Sequence, residues 1–201
     1  MDTSGEILMP VIGSRIRAAR QAREWTLDQL AQHSGVSRRQ IINVEQGDAN
    51  PSIATLLSLS DALGVGLPAL VETPSVAATR ITRAGEGAAL WTGDRGGRGV
   101  LLAGTHPPDV VELWEWTMNP GEGHTSAPHR DGTRELLHVH TGTVTLVVSD
   151  EPIELAVGDA VAFPGDVEHA YRNDGADATR FTLTVFEPAV GQLTAPKGHH
   201  A

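Results

Sequence analysis

Cysteine is absent from this 201-residue chain, which excludes disulfides, thiolate metal sites and cysteine nucleophiles. Long apolar runs are missing too: none approaches the roughly 20 residues needed to span a bilayer. The opening Met-Asp-Thr-Ser-Gly-Glu is acidic and has no apolar signal-peptide core. A cytoplasmic location is therefore the expectation. There is no internal repeat and no low-complexity tract. Hydrophobic residues at 40% and charged residues at 20% are ordinary globular values, and the length suits one large domain or two small ones.

Positive charge is scarce. The net charge of −10 argues against general nucleic-acid binding, but its distribution matters more than its total. Within residues 12–47, six Arg face only Glu24, Asp28 and Glu45, a local net of +3. The acidic excess belongs to the C-terminal part.

Periodicity divides the chain. Residues 1–9 read as a loose arm and 10–72 as an all-α unit of five short helices. Residues 73–79 read as a linker, 80–190 as an all-β unit, and 191–201 as a loose tail in which His199 and His200 are solvated. In the first unit Ile12, Ile16 and Ala19 share one helical face. Thr26-Leu-Asp-Gln29 and Ser37-Arg-Arg-Gln40 have the form of capping boxes, and Ser52 caps a third amphipathic run. Gly35, Gly47 and Gly64 supply stops. In the second unit the period falls to two, which predicts strands over 80–83, 88–91, 100–103, 110–118, 135–141, 143–149, 151–155, 160–163, 169–172 and 179–186. Many short strands between Gly, Pro and Asp turns argue for a closed or double-sheet barrel.

Two short capped helices joined by Ser34-Gly35-Val36 make a helix-turn-helix, with Ala31 allowing close approach and Ile41 packing inward. Ala31, Gly35, Ile41, Glu45, Gly47 and Pro51 at this spacing resemble the XRE family of phage-repressor-like regulators, over roughly residues 12–71. The resemblance implies that the helix from Ser37 to Gln46 enters the major groove. Arg38, Arg39 and Asn43 would then face base edges, flanked by Gln40, with Thr26 near a phosphate. Arg pairs bidentately with guanine and Asn with adenine, each worth about 1–3 kcal/mol of discrimination. Arg15, Arg20 and Arg23 either add backbone contacts or form a solvated face. Such modules read palindromic double-stranded DNA as dimers.

In the second unit two polar blocks stand out. His129, Asp131 and Glu135 sit at even separations, which an extended chain would turn to one face. Gly123, His129, Glu135 and Gly142 match the first cupin motif, with Asp131 where a second His belongs. Gly158, Pro164, His169 and Asn173 match the second, with Asp166 in place of Gly. The resemblance implies a cupin, a double-stranded β-helix of the jelly-roll type, over roughly residues 80–188. It places His129, Asp131, Glu135 and His169 around a pocket. His129, Glu135 and His169 could hold one divalent metal (Zn, Mn, Ni or Fe), a set suited to those ions. The alternative is an organic effector without metal. With Glu135 inward, Leu137 and Val139 follow it, while His138 and His140 point outward. His124 is assigned to the rim or surface. Trp91, Trp114, Trp116, Phe163 and Tyr171 supply the barrel's bulk. Gly93 to Gly99 is a glycine-rich turn with two Arg.

The combined expectation is a transcriptional regulator, acting as a repressor, without catalytic residues. Its cupin would bind a small-molecule effector and support a homodimer, with no membrane partner. The alternative is a metal-dependent cupin enzyme, a dioxygenase or isomerase, tethered to a DNA reader.

Overall fold

The computed structural model describes residues 3–72 and 79–191, so nearly all of the expected linker and tail lie outside the described residues. Five helices come first: α1 (Thr3–Ala22), α2 (Leu27–Ser34), α3 (Arg38–Gln46), α4 (Ile53–Leu63) and α5 (Leu67–Val71). Local chemistry sets their ends. Thr26 and Gln29 form a complete capping box, whose two reciprocal bonds occupy amides that the first turn of α2 leaves free. Ser37 and Ser52 cap α3 and α4, accepting from the backbone N–H groups of Gln40 and Thr55. The reciprocal half of the box expected at Ser37 is not made, because the Gln40 side chain donates to Thr55 Oγ1 instead, at 3.2 Å. Gly35, Gly47 and Gly64 each end a helix in the left-handed region, at φ 69°, 77° and 60°.

The expected loose arm is corrected: α1 starts at Thr3 and runs through Pro10. A proline inside a helix loses one backbone bond but need not end it. The apolar period begins only at Ile12, so nothing in the pattern marks the earlier turns. Ile12 and Ile16 are fully buried with Leu30, Ile41, Leu56 and Leu59 in the helical core.

Ten strands follow: β1 (Ala88–Thr92), β2 (Arg98–Gly104), β3 (Val110–Met118), β4 (Gly123–Ser126), β5 (Arg134–Thr141), β6 (Val144–Val148), β7 (Glu151–Leu155), β8 (Ala160–Pro164), β9 (His169–Arg172) and β10 (Thr179–Glu187). They form a six-stranded sheet in the order β1-β2-β3-β10-β5-β8 and a four-stranded sheet in the order β4-β9-β6-β7. The expected strand at 80–83 is absent: the Glu86 carboxylate accepts the Arg83 N–H that a ladder would use. The short strand β4, paired with β9 from Gly123↔Arg172 to Ser126↔His169, was not expected. No helix among the described residues is long and apolar enough to cross a membrane.

Strict alternation sorts the side chains of β3, β5 and β10. Trp114, Trp116, Met118, Leu137, Val139, Phe181 and Leu183 are buried between the sheets, whereas His138 and His140 are exposed, as expected. Asn173 explains its place in the second motif: its side-chain N–H groups donate to Met118 O and Asp177 O, and its oxygen accepts from Gly175 N–H. The glycine-rich turn holds an anion from its own chain. The Glu122 carboxylate accepts backbone N–H groups from Arg95 (2.6 Å), Gly97 (3.2 Å) and Asn119 (2.6 Å).

Burial works to raise the Glu122 carboxyl, but these amides and Arg95 bring it below the usual carboxylate range. A depressed folded-state pKa stabilises above the unfolded value and is lost as pH falls through the folded one. Glu122→Gln is therefore expected to cost about 1–2 kcal/mol at pH 7, at the low end for bonds to a charge because the loop lies near solvent. Urea melts of both proteins should converge as pH drops below the ordinary carboxylate range. A gap that persists at low pH would remove the charge from this account.

The two units pack together. Pro68 of α5 covers Gly104 of β2 so closely that a Cβ there would overlap its ring, and Gly64 meets the backbone of Gly191. Arg23 donates through Nε to Leu63 O at 2.8 Å, closing the end of α4.

Candidate functional site

His129, Glu135 and His169 converge although they come from a loop, β5 and β9: one ligand-capable atom from each lies within 4.8 Å of the others. Glu135 Oε1 stands 3.2 Å from Nε2 of both His129 and His169. The His169 approach lacks hydrogen-bond geometry, so Glu135 Oε1 and His169 Nε2 are buried with no hydrogen-bond partner. Their other atoms are committed. His169 Nδ1 lies 2.8 Å from Val167 O, to which it can only donate. That fixes the tautomer that leaves a lone pair on Nε2. The Tyr171 hydroxyl donates to Glu135 Oε2.

Burial pushes the Glu135 carboxyl up, but the two imidazoles outweigh it and bring it down to about 2. Burial works against the charged form of His169, yet Glu135 carries its pKa above the ordinary value. Tyr171 is raised well above the usual phenol, by burial and then by the Glu135 charge. His169 Nε2 and Glu135 Oε1 are bare and oriented by outer partners, while His129 Nε2 lies 3.3 Å from the Ser126 hydroxyl, which can turn away; together they are a donor set that fits a divalent metal.

Asp131 is the correction in this group. It is exposed and lies outside the converging set. Alternation places residues on one face only in extended chain, and 127–133 is a loop. Gly132 there takes φ +86°, held by its N–H to Asp166. His129 reaches the site because its own backbone N–H donates to Gly165 O.

Above the three residues lies a pocket with an empty volume of about 340 Å³, part of it open to solvent. The cupin-like strands contribute Glu112, Trp114, Trp116, His124, Tyr171, Leu183 and Val185, and α4 contributes Ile53 and Leu57. Sequence reasoning missed two of these features, Glu112 and α4, and left a third, His124, at the rim or surface. His124 sits on the unexpected β4 and is half-buried, with burial and then His169 lowering its pKa to about 4. Glu112 carried a legible signal, since it occupies the inward register of β3 between Val110 and Trp114. The contribution of α4 had no local signal at all.

Glu112 lies opposite Val185, which lies opposite Glu135, so the two carboxylates flank one row of the sheet. Glu112 Oε2 accepts the Trp114 indole N–H at 2.9 Å, and its Oε1 is unpartnered. Burial, then Glu187, push its pKa up to about 8. Glu187 rises to about 7, through burial and then Asp61 of α4.

Comparisons with known proteins agree with this architecture. The family model described as a helix-turn-helix matches residues 16–70, and the one described as a cupin domain matches 114–186. The HTH-type transcriptional regulator SutR of Escherichia coli (strain K12) is 28% identical over 183 residues, covering 91% of this chain and 98% of its own. The chain is an XRE-type helix-turn-helix protein with a C-terminal cupin domain. An immunity repressor protein of Bacillus phage phi105 is 38% identical over 60 residues, 30% of this chain and 42% of its own. The crystal structure of an HTH_3 family transcriptional regulator from Vibrio cholerae has the same fold, with TM-score 0.72 and 22% identity, over 92% of this chain and 99% of that one.

In the helix-turn-helix domain Thr26, Ser37, Arg38, Arg39 and Gln40 are exposed, and Asn43 is half-buried. Arg38 pairs with Asp28 at 3.2 Å, an exposed contact that DNA can replace. Arg39 makes no ion pair or side-chain hydrogen bond with the described residues. Arg15 and Arg20 of α1, and Arg23 just after it, are used internally. Arg15 donates to Leu70 O, Arg20 binds Glu45 and Trp25 O, and Arg23 donates to Leu63 O and lies over Trp25. The possibility that these three contact the DNA backbone loses its support.

Proposed function

We propose that the protein is a sequence-specific DNA-binding transcriptional regulator, acting as a repressor, whose cupin domain binds a small-molecule effector. The wall that Ile53 and Leu57 of α4 supply to the cupin pocket carries this reading, because occupancy is then felt inside the reader itself. The same helix holds α3 through Gln40 and Thr55. A ligand that prefers one placement of α4 biases the recognition helix; one with equal affinity for both placements shifts nothing.

Thr26, Ser37, Arg38, Arg39, Gln40 and Asn43 form the DNA-facing surface. Arg39, exposed and uncommitted, reads a base: Arg39→Ala is expected to lower affinity for operators selected from genomic DNA by about 1–3 kcal/mol and to relax one position of the site. Footprints and affinity equal to the parent's would sink this assignment.

The regulator works in the cytoplasm, where its DNA is, as a homodimer on a palindromic operator. Support for the dimer comes from an exposed apolar strip on the outer face of the six-stranded sheet, where Val111, Leu113, Leu136 and Phe186 are 37–56% exposed. Light scattering that returned a monomer at operator-binding concentrations would remove the dimer. His129, Glu135 and His169 would hold a divalent ion (Zn, Mn, Ni or Fe). The regulator relative spanning 91% of this chain favours sensing over turnover. A metal-dependent enzyme stays the second reading because of the same three residues. Elemental analysis showing no transition metal in the purified protein would end it.

A further inference from the structure

We infer that the pocket between α4 and the cupin strands takes a small organic cation, an alkyl- or arylammonium, with its charge on Glu112 and its carbon body against Trp114 and Trp116. This rests on reading the pocket as the effector site and adds the chemical class of the ligand.

The first support is Glu112 itself. It is 2% exposed, lines the pocket, and leaves Oε1 without a partner. Buried polar atoms without partners are uncommon enough that each asks for a reason. A donor from the ligand would supply one. Glu112 Oε2 is held in place by the Trp114 indole, so the carboxylate is oriented before anything binds.

The second support is the aromatic lining. Trp114 and Trp116 stack with centroids 6.0 Å apart, and Trp116 also meets Tyr171 at 5.8 Å. The negative face of an indole attracts a cation and repels an anion, and tryptophan is the best ring for this.

Charge balance is the third. Around Glu112 stand Glu187 of β10, Glu135 of β5 and Asp61 of α4, all of which oppose its ionisation. The cationic group beside Glu187 and Asp61 is Arg130. Glu112 and Glu187, with pKa values of about 8 and about 7, hold part of this charge as protons near neutral pH, and an entering ammonium would take the place of those protons. An entering ammonium relieves repulsion that a carboxylate ligand would increase. The carbon body faces Ile53, Leu57, Leu183 and Val185, so the ligand is an amine with an apolar end rather than a bare inorganic cation.

The test uses the full chain in EDTA, so that no amine scores by coordinating a metal. Benzylammonium, benzyl alcohol and benzoate, with butylammonium and butanol as a second series, are compared by calorimetry and thermal shift. The ammonium probes are expected to bind at least about tenfold more tightly than their neutral and acidic counterparts, the difference between a charged and a neutral hydrogen bond. Glu112→Gln keeps the side-chain shape and is expected to lose that advantage while leaving benzyl alcohol unaffected. Trp116→Leu, which keeps apolar bulk, should weaken the ammonium more than the alcohol.

Equal binding of benzylammonium and benzyl alcohol, or an unchanged advantage in Glu112→Gln, would overturn the inference. Preferential binding of benzoate would overturn it while leaving the sensor reading intact. Silence from every probe would overturn it as well, and silence toward a host metabolite extract besides would take the sensor reading with it.

Discussion

His169→Ala is expected to weaken Zn²⁺ binding by more than about 100-fold, because even the outer partners of metal ligands are commonly worth 10–100-fold and His169 is placed as a ligand itself. The expectation rests on orientation as much as on residue type. The Nδ1 contact to Val167 O leaves Nε2 bare, and Nε2 points at Glu135 Oε1, which Tyr171 leaves uncommitted by taking Oε2. Glu135→Gln should behave like His169→Ala, since it removes the only charge among the three donors. Asp131→Ala should leave the affinity unchanged, although Asp131 stands where the first cupin motif has a histidine. Calorimetric titration of Zn²⁺ into metal-stripped protein checks all three variants. If Asp131→Ala proved the more damaging change, the ion would belong to the loop and not to the three converging residues.

Arg20→Leu is expected to destabilise the helix-turn-helix domain by about 3 kcal/mol, the low end for breaking a buried ion pair, because a trace of solvent reaches this one. The Arg20 and Glu45 side chains are 12% and 7% exposed. Their contact is two-pronged, Nε to Oε1 at 2.7 Å and Nη2 to Oε2 at 2.8 Å, and the third nitrogen donates to Trp25 O at 2.9 Å. Removing the guanidinium strands the Glu45 carboxylate between α1 and α3. A drop in Tm of roughly 10 °C or more follows for a unit of this size. The double variant Arg20→Leu, Glu45→Leu should recover much of the loss, since an apolar pair of similar bulk is often neutral where a lone buried charge is not. A single variant that melted with the parent would place the pair in effective contact with water.

Much of the helix-turn-helix was legible because its signals are local. Thr26, Ser37 and Ser52 announce helix starts and Gly35, Gly47 and Gly64 their ends, each through bonds within four residues. Three arginines in and just after α1 show where that kind of reading stops. The sequence left them as DNA-backbone contacts or a solvated face, yet Arg15, Arg20 and Arg23 each find a partner 25 or more residues away, which no window of sequence contains. The three residues of the cupin motifs converge, Glu135 and His169 from fixed registers of β5 and β9 and His129 from a loop tied to Gly165. Asp131 failed because the rule of even spacing was applied across a loop. Glu112 was readable and unread: a charged residue in phase with Val110, Trp114 and Trp116 is an anomaly of the strand pattern itself.

The place of α4 between pocket and recognition helix also works in the other direction. If a ligand changes operator affinity by some factor, the operator changes ligand affinity by the same factor, whatever the path between them. Two populations in one cell, on and off DNA, would then respond at different ligand concentrations. A repressor released by its ligand would hold that ligand less tightly while seated on its operator. The concentration at which a gene switches would therefore reflect the occupied operator, and measurements on free protein alone would place it too low.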